Sequence, residues 1–294
     1  MTTPEFTANR ENFCYRHPDR QSFVLCQRCM RTICPECMTQ APVGVICPEC
    51  MKAERKAETP NQRRARRQQR GAAVAAVHRE RPVMTMALIL ITSIISLLQM
   101  VPGIGPAITN QLFFAAGFLY PDLSGAPFEP WRMITTMFVH GGFVHLALNM
   151  LALWMLGQSL EPLLGRGRFL ALYLISGFGG SVAVAVIDPS ISTVGASGGV
   201  FGLMAALLII GRHIGANVTG ILVVLGINFV FGLVVGGIAW QAHLGGALVG
   251  ALVAFIYTRT RKPSQRTAQI LLLVAVVALL TVITAVVPPL LILS

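Results

Sequence analysis

From residue 83 onward the chain is a succession of apolar runs broken by short stretches rich in Gly, Pro and charge. Seven runs stand out, at about 83–101, 143–162, 168–187, 197–212, 217–236, 239–258 and 268–288. Each is long enough, or nearly so, to cross about 30 Å of hydrocarbon as a helix. The fourth is the shortest. The gaps between runs are short except the first, 102–142, which is long and rich in Pro and Gly. Residues 1–82 contain no comparable run, and no secretory leader is expected there, because a leader needs about 7–15 uninterrupted apolar residues.

Composition agrees with this division. Of 294 residues, 54% are hydrophobic and 12% charged, which excludes an ordinary soluble domain and points to a polytopic membrane protein. Residues 1–82 hold 15 Lys/Arg and 8 Asp/Glu, whereas residues 83–294 hold 8 and 4. With the polar front placed inside and each run crossing in turn, Arg166, Arg168, Arg212, Arg259, Arg261, Lys262 and Arg266 all fall inside. Asp122, Glu129 and Asp188 fall outside, and Arg132 is the one exterior cation. That distribution follows the positive-inside rule. The expectation is a multi-pass cell-membrane protein, with a bacterial plasma membrane as its setting, a cytoplasmic amino terminus and an exterior carboxyl terminus.

The front carries all seven cysteines, as Cys14-x2-His17, Cys26-x2-Cys29, Cys34-x2-Cys37 and Cys47-x2-Cys50. An odd count in close pairs argues against disulfides and for metal thiolates in a reducing compartment. Eight ligands fill two tetrahedral zinc sites with none left over, and saturated sites are structural rather than catalytic. The pattern resembles the B-box-type zinc finger. By that resemblance Cys14, His17, Cys34 and Cys37 hold one zinc, and Cys26, Cys29, Cys47 and Cys50 the other. Spacing alone also permits neighbouring pairs to close. A module this small is expected to need metal to fold, and to bind or regulate rather than catalyse. The following block of Arg63, Arg64, Arg66, Arg67 and Arg70 reads as topological retention and attraction to anionic headgroups. No nucleic-acid partner is expected.

The chemistry lies in the apolar part. Ser197 opens the fourth run and His243 lies early in the sixth, both near the exterior surface by the charge layout. His145 and Asn149, early in the second run, are four residues apart and so share a helix face. Polar residues at membrane depth are functional candidates by default. Gly198-x3-Gly202 and Gly246-x3-Gly250, with Gly199, Gly245 and Ala247 alongside, supply the small-residue spacing that lets two helix backbones approach. A Ser197–His243 hydrogen bond across that contact would let the imidazole take the hydroxyl proton during attack on a carbonyl. Asp188 is assigned to a loop and Glu161 to the opposite end, so a dyad is expected, not a triad. His145, Asn149 and the free N–H groups at the start of the fourth run can donate to an oxyanion. His140 reads as capping or packing the loop that enters the second run, with contact to substrate or water the alternative, Asn228 as a helix–helix hydrogen bond, Arg212 and His213 as an inner boundary, and Trp154 and Trp240 as interface or packing residues.

Over nearly all of residues 83–294 the chain resembles the rhomboid intramembrane serine proteases. The resemblance rests on Glu129-x-Trp131-Arg132, His145-x3-Asn149, Gly195-x-Ser197-Gly198 and Ala242-His243-x2-Gly246, in that order and in the appropriate runs. It implies an all-α polytopic membrane protein with a six-helix rhomboid-like core over 83–267 and a seventh helix over 268–294. The zinc module (1–52) and basic linker (53–82) precede it. It further implies Ser197 as nucleophile, His243 as general base and acid, and His145, Asn149 and the Ser197 amide as oxyanion hole. Substrates would be transmembrane helices of other proteins, reached sideways beside the loop holding Trp131 and Arg132. The lipid bilayer is the second partner, and a cytosolic protein bound by the zinc module a third. Where many members have Tyr, four residues after the nucleophile, this chain has Phe201, which keeps a ring and loses a hydroxyl.

Overall fold

The computed structural model describes residues 10–41, 44–57 and 82–293. The arginine block at 63–70 lies outside the described residues. The chain divides into two compact units, Met1–Arg79 and Glu80–Ser294.

The first unit is built on its cysteines. A hairpin of β1 (Thr39–Gln40) and β2 (Val45–Ile46) leads into helix α1 (Pro48–Ala57). Its interior is Cys14, Cys26, Ile33, Cys34, Cys37, Ile46 and Cys47, five of the seven being thiols, so apolar burial alone gives it little stability. Among the described residues, the exposed ion pairs Arg16–Glu49, Arg20–Glu36 and Arg28–Glu54 lie on its surface.

The second unit is a helical bundle: α2 (Val83–Gln99), α3 (Gly105–Leu112), α4 (Phe143–Leu164), α5 (Arg166–Ile187), α6 (Ser197–His213), α7 (Thr219–Val234), α8 (Trp240–Arg259) and α9 (Arg266–Leu293). All seven apolar runs are helices, and α3 is a short helix inside the long first gap. Four reach the length and hydropathy for a span on their own, while α2, α6 and α7 have 17, 17 and 16 residues. Polarity is turned inward. Leu90, Ile91, Leu148, Met155, Leu252 and Leu271 are exposed, whereas Thr85, Ser96, His140, Glu161, Ser176 and His243 are buried. A bundle whose outer face is hydrocarbon and whose core holds the polar groups is what lipid as solvent selects.

Two devices fix the helices against each other. At one end the buried Glu161 carboxylate accepts the Met84 and Thr85 N–H groups (2.9 and 2.8 Å) and the Thr85 hydroxyl (2.7 Å). It thereby caps the first turn of α2, whose amides have no intrahelical acceptor. In the centre, α6 and α8 touch backbone to backbone. A Cβ added at Gly246 would lie 2.0 Å from the Gly198 carbonyl oxygen, and one at Gly250 would lie 2.4 Å from Gly202. The two GxxxG stripes are one seam, and α5 joins it where a Gly245 Cβ would meet the Gly179 carbonyl at 2.4 Å.

The long segment between α2 and α4 folds back on the bundle. Its strand β3 (Phe114–Ala115) pairs antiparallel with β4 (Ser192–Thr193), just ahead of Ser197. Arg132 is buried in this loop. Its guanidinium contacts the Glu129 carboxylate, donates to the Asn110 and Phe113 carbonyls (2.6 and 3.1 Å) and stacks over Phe118 at 3.9 Å.

Candidate active site and metal clusters

Ser197 and His243 lie on the two helices, α6 and α8, that the glycine seam joins. Phe201, one helical turn beyond Ser197, stacks on the His243 ring with centroids 4.0 Å apart and planes 10° off parallel. Next to the two residues themselves, a Cβ on Gly198 would be 3.4 Å from the Ala242 carbonyl. The ring packing expected of Phe201 is therefore present. Among the described residues there is no Ser197–His243 hydrogen bond; bonds between a nucleophile and its base are often long in the absence of a bound substrate.

His243 Nδ1 is buried with no hydrogen-bond partner and faces Gly232, where an added Cβ would lie 3.3 Å away. Among the described residues no carboxylate bonds to it. Asp188 accepts from Ser190 in its own loop, and Glu161 caps α2 at the far end.

The segment entering Ser197 is held from three sides. Gly195 has φ +123°, a conformation open to glycine, and its N–H donates to the Thr136 carbonyl at 2.9 Å. The Thr136 hydroxyl donates to the Thr193 carbonyl at 2.6 Å. His140 takes the Ala196 N–H on Nε2 (3.3 Å), so its proton sits on Nδ1, facing Ser96 Oγ at 2.9 Å; that hydroxyl donates to the Phe138 carbonyl. Gln99 bonds both backbone groups of His140 at 2.9 Å. His140 is thus more than loop packing: it fixes the residue before Ser197. Ser96, Gln99 and Thr136 carry no spacing signal that the sequence could have betrayed.

His145 leans over Gly195, where an added Cβ would be 2.9 Å from Nε2. Its Nδ1 accepts the Gly141 N–H at 3.3 Å, which leaves the proton on Nε2, directed at this space. Asn149 is buried and spends one amide hydrogen on the His145 carbonyl (2.9 Å), keeping the other. The first intrahelical bond of α6 runs from the Val200 N–H to the Ala196 carbonyl, so the Ser197, Gly198 and Gly199 amides have no helical acceptor. Asn228 bonds back to Val224 in its own helix at 2.8 Å rather than across to a neighbour, because its side chain points away from the bundle. Trp240 packs edge-on against Phe229, and Trp154 is exposed.

In the first unit the eight ligand atoms form two clusters, Cys14/His17/Cys34/Cys37 and Cys26/Cys29/Cys47/Cys50, with the atoms of each within 4.8 Å of one another. First pairs with third and second with fourth. The edges fit a tetrahedral ion: with metal bonds near 2.3 Å to sulfur and 2.05 Å to nitrogen, S···S and S···N edges should be about 3.8 and 3.6 Å. Cys29 and Cys47 Sγ are 3.7 Å apart, and His17 Nδ1 lies 3.3, 3.4 and 3.8 Å from Cys34, Cys37 and Cys14. Burial pushes the Cys14 thiol up, but the N–H groups of Cys34, Arg16 and His17 outweigh it and bring it down to about 6. Cys26 behaves alike through Cys29, Cys47 and Arg28. Burial and the neighbouring thiolates drive Cys37 up to about 11. Cys50 is pushed up to about 12, first by its contact with Cys47. The three sulfurs of the first cluster and the four of the second ionise together only around a cation, so each set of residues fits one.

Comparison with known proteins adds an independent line. The family model described as the Rhomboid domain matches residues 127–260, which include every membrane-region site residue named above except Ser96 and Gln99. The chain is 31% identical over 150 residues to the putative rhomboid protease YdcA of Bacillus subtilis, covering 48% of this chain and 74% of that one. It is 42% identical over 134 residues to rhomboid protease GluP of Bacillus subtilis (43% of this chain, 26% of that one). With RHOMBOID-like protein 4 of Arabidopsis thaliana it shares 40% over 136 residues (44% and 34%). The match thus spans about a quarter to a third of the last two. The family match and the four long apolar helices support a multi-pass membrane protein, and relatives in both a bacterium and a plant lend no weight to a bacterial source.

Proposed function

Because the chain belongs to the rhomboid family, we propose that it is an intramembrane serine endopeptidase working by a Ser197–His243 dyad. The Ser197 hydroxyl attacks the scissile carbonyl carbon while its proton passes to His243 Nε2, the nitrogen left free by the orientation of Nδ1 toward Gly232. The oxyanion accepts from His145 Nε2–H, the spare Asn149 hydrogen and the Ser197 amide. His243 then protonates the leaving amine, and water repeats the sequence on the acyl-serine. The observation that carries this reading is the Phe201–His243 stack over the glycine seam, since it fixes the imidazole one turn from Ser197.

Substrates are transmembrane helices. Cleavage requires an accessible carbonyl, so segments with helix-weakening residues near the exterior end are favoured. The charge layout supports an amino terminus in the cytoplasm and the dyad in the outer leaflet. The metal clusters hold two zinc ions, the ion that thiolate–imidazole tetrahedra suit best, and leave no position for water. They order a module whose partner is a cytosolic protein.

The test is cleavage of a single-span substrate in liposomes by wild type, Ser197→Ala and His243→Ala. Each variant is expected to lose on the order of 10³-fold or more of the rate. Equal cleavage by all three overturns the dyad.

A further inference from the structure

Helix α9 carries Pro288 near its end, and proline has no N–H to give the carbonyl four residues earlier. That carbonyl belongs to Thr284, which is buried. Its own hydroxyl is committed to the Leu280 carbonyl at 2.9 Å. An unmet carbonyl within an apolar bundle costs several kcal/mol or about that, which is why helices in lipid satisfy freed backbone groups from neighbours. Here the neighbour is Tyr120, whose hydroxyl donates to the Thr284 carbonyl at 2.5 Å across 164 residues of sequence.

Tyr120 stands at a useful place. It follows the 3-10 turn Ala116–Leu119 and precedes the single helical turn Pro121–Ser124. The 3-10 turn continues directly from β3, whose partner β4 leads through Val194, Gly195 and Ala196 into Ser197. Ala116 and Leu119, just ahead of it, are buried, so the segment that leads from β3 into the tyrosine is anchored. Burial pushes the Tyr120 hydroxyl up to about 12, so it stays a protonated donor across the physiological range.

We propose that Pro288 opens a socket in the seventh helix, that Tyr120 fills it, and that this latch positions the β3–β4 pair leading to Ser197. Tyr120 is then a positioning residue, and the seventh helix, an addition to the six-helix core, is a buttress for the first loop. The latch itself stands on geometry alone; only its effect on Ser197 rests on the peptidase reading.

The test compares wild type, Tyr120→Phe, Pro288→Ala and the double variant of the full chain in detergent. Amide exchange is followed over residues 113–119 and 191–196. Tyr120→Phe removes the donor, and Pro288→Ala gives Thr284 its own helical N–H and displaces the tyrosine. Each single variant is expected to raise exchange about five- to tenfold, the worth of one hydrogen bond. The double variant is expected to exchange no faster than either single one, because both remove the same bond. Additive effects, or unchanged exchange in Tyr120→Phe, overturn the latch. A second arm follows labelling of Ser197 by a fluorophosphonate: the limiting rate should fall severalfold with half-saturation unchanged. Absence of labelling in wild type would count against the peptidase reading while the exchange arm still decides the latch.

Discussion

The two units reach a folded state by opposite routes. In the first, the buried groups are the ligands themselves, and Ile33 and Ile46 are the only aliphatic side chains among the seven residues of its core. In the second, exposed aliphatics face lipid while threonines, serines, histidines and Glu161 turn inward, and the closest contacts are between backbones at glycine. The first is therefore expected to depend on an ion, whereas the second depends on the absence of side chains at its seam. A medium without water also changes which residues matter: in the bundle a missing methyl group at Gly246 counts for more than any single apolar contact.

The sharpest way to break this comparison is to remove the metal. Structural zinc contributes about 10–16 kcal/mol to folding of such modules, far more than a unit of this size has in reserve. Chelation of the full chain in detergent should open residues 10–57 to limited proteolysis while residues 83–293 stay resistant. Concerted loss of both would mean the bundle also depends on the ion.

The converse experiment leaves the metal and spoils the seam. Gly246→Val places a branched side chain where even one carbon would lie 2.0 Å from the Gly198 carbonyl oxygen. Backbone must move, and the cost should exceed about 3 kcal/mol. Thermal unfolding in detergent should fall by many degrees with the zinc content unchanged. A midpoint close to wild type would show that α6 and α8 do not pack as described.

Glu161→Gln comes next. The amide keeps one acceptor but turns an N–H₂ toward the donors that Oε2 or Oε1 now receives from Met84 and Thr85. Loss of a charged acceptor should cost about 1.5–3 kcal/mol, read as a lower unfolding midpoint with faster amide exchange at the start of α2. Faster exchange at α6 instead would place the role of Glu161 elsewhere.

This residue also marks the limit of what the sequence discloses. Helix positions, the grouping of the Cys/His pairs into two clusters and the GxxxG seam are periodic or closely spaced, and those signals are local enough to read from the chain. Glu161 was assigned to the correct end, away from Ser197, yet its partners lie 76 and 77 residues away with no pattern linking them. The same holds for His140 with Ala196 and for Tyr120 with Thr284. Each is one polar contact between distant segments, chosen by the packed geometry rather than by a repeat. Ser197, His243, His145 and Asn149 stand out as candidates because polar residues in apolar runs are few; the network around them does not, because its members sit in a loop where polar residues are ordinary.

The smallest effect expected comes from the same chemistry in the other setting. Arg28 and Glu54 form an ion pair at 2.9 Å on the first unit, with both side chains roughly half exposed, whereas Arg132 and Glu129 form one almost wholly buried in the loop of the second. Water and salt screen the former, and ordering two long side chains offsets most of its attraction, so Arg28→Ala should change stability by no more than about 1 kcal/mol. Arg132→Ala leaves a carboxylate and two carbonyls without their donor in a dry site and should cost about 3–5 kcal/mol. Measured side by side, with metal release for the first and thermal unfolding for the second, the pair isolates environment from interaction. A loss of metal binding in Arg28→Ala comparable to that of a ligand substitution would mean the module is held by its surface charges as well as by its thiolates.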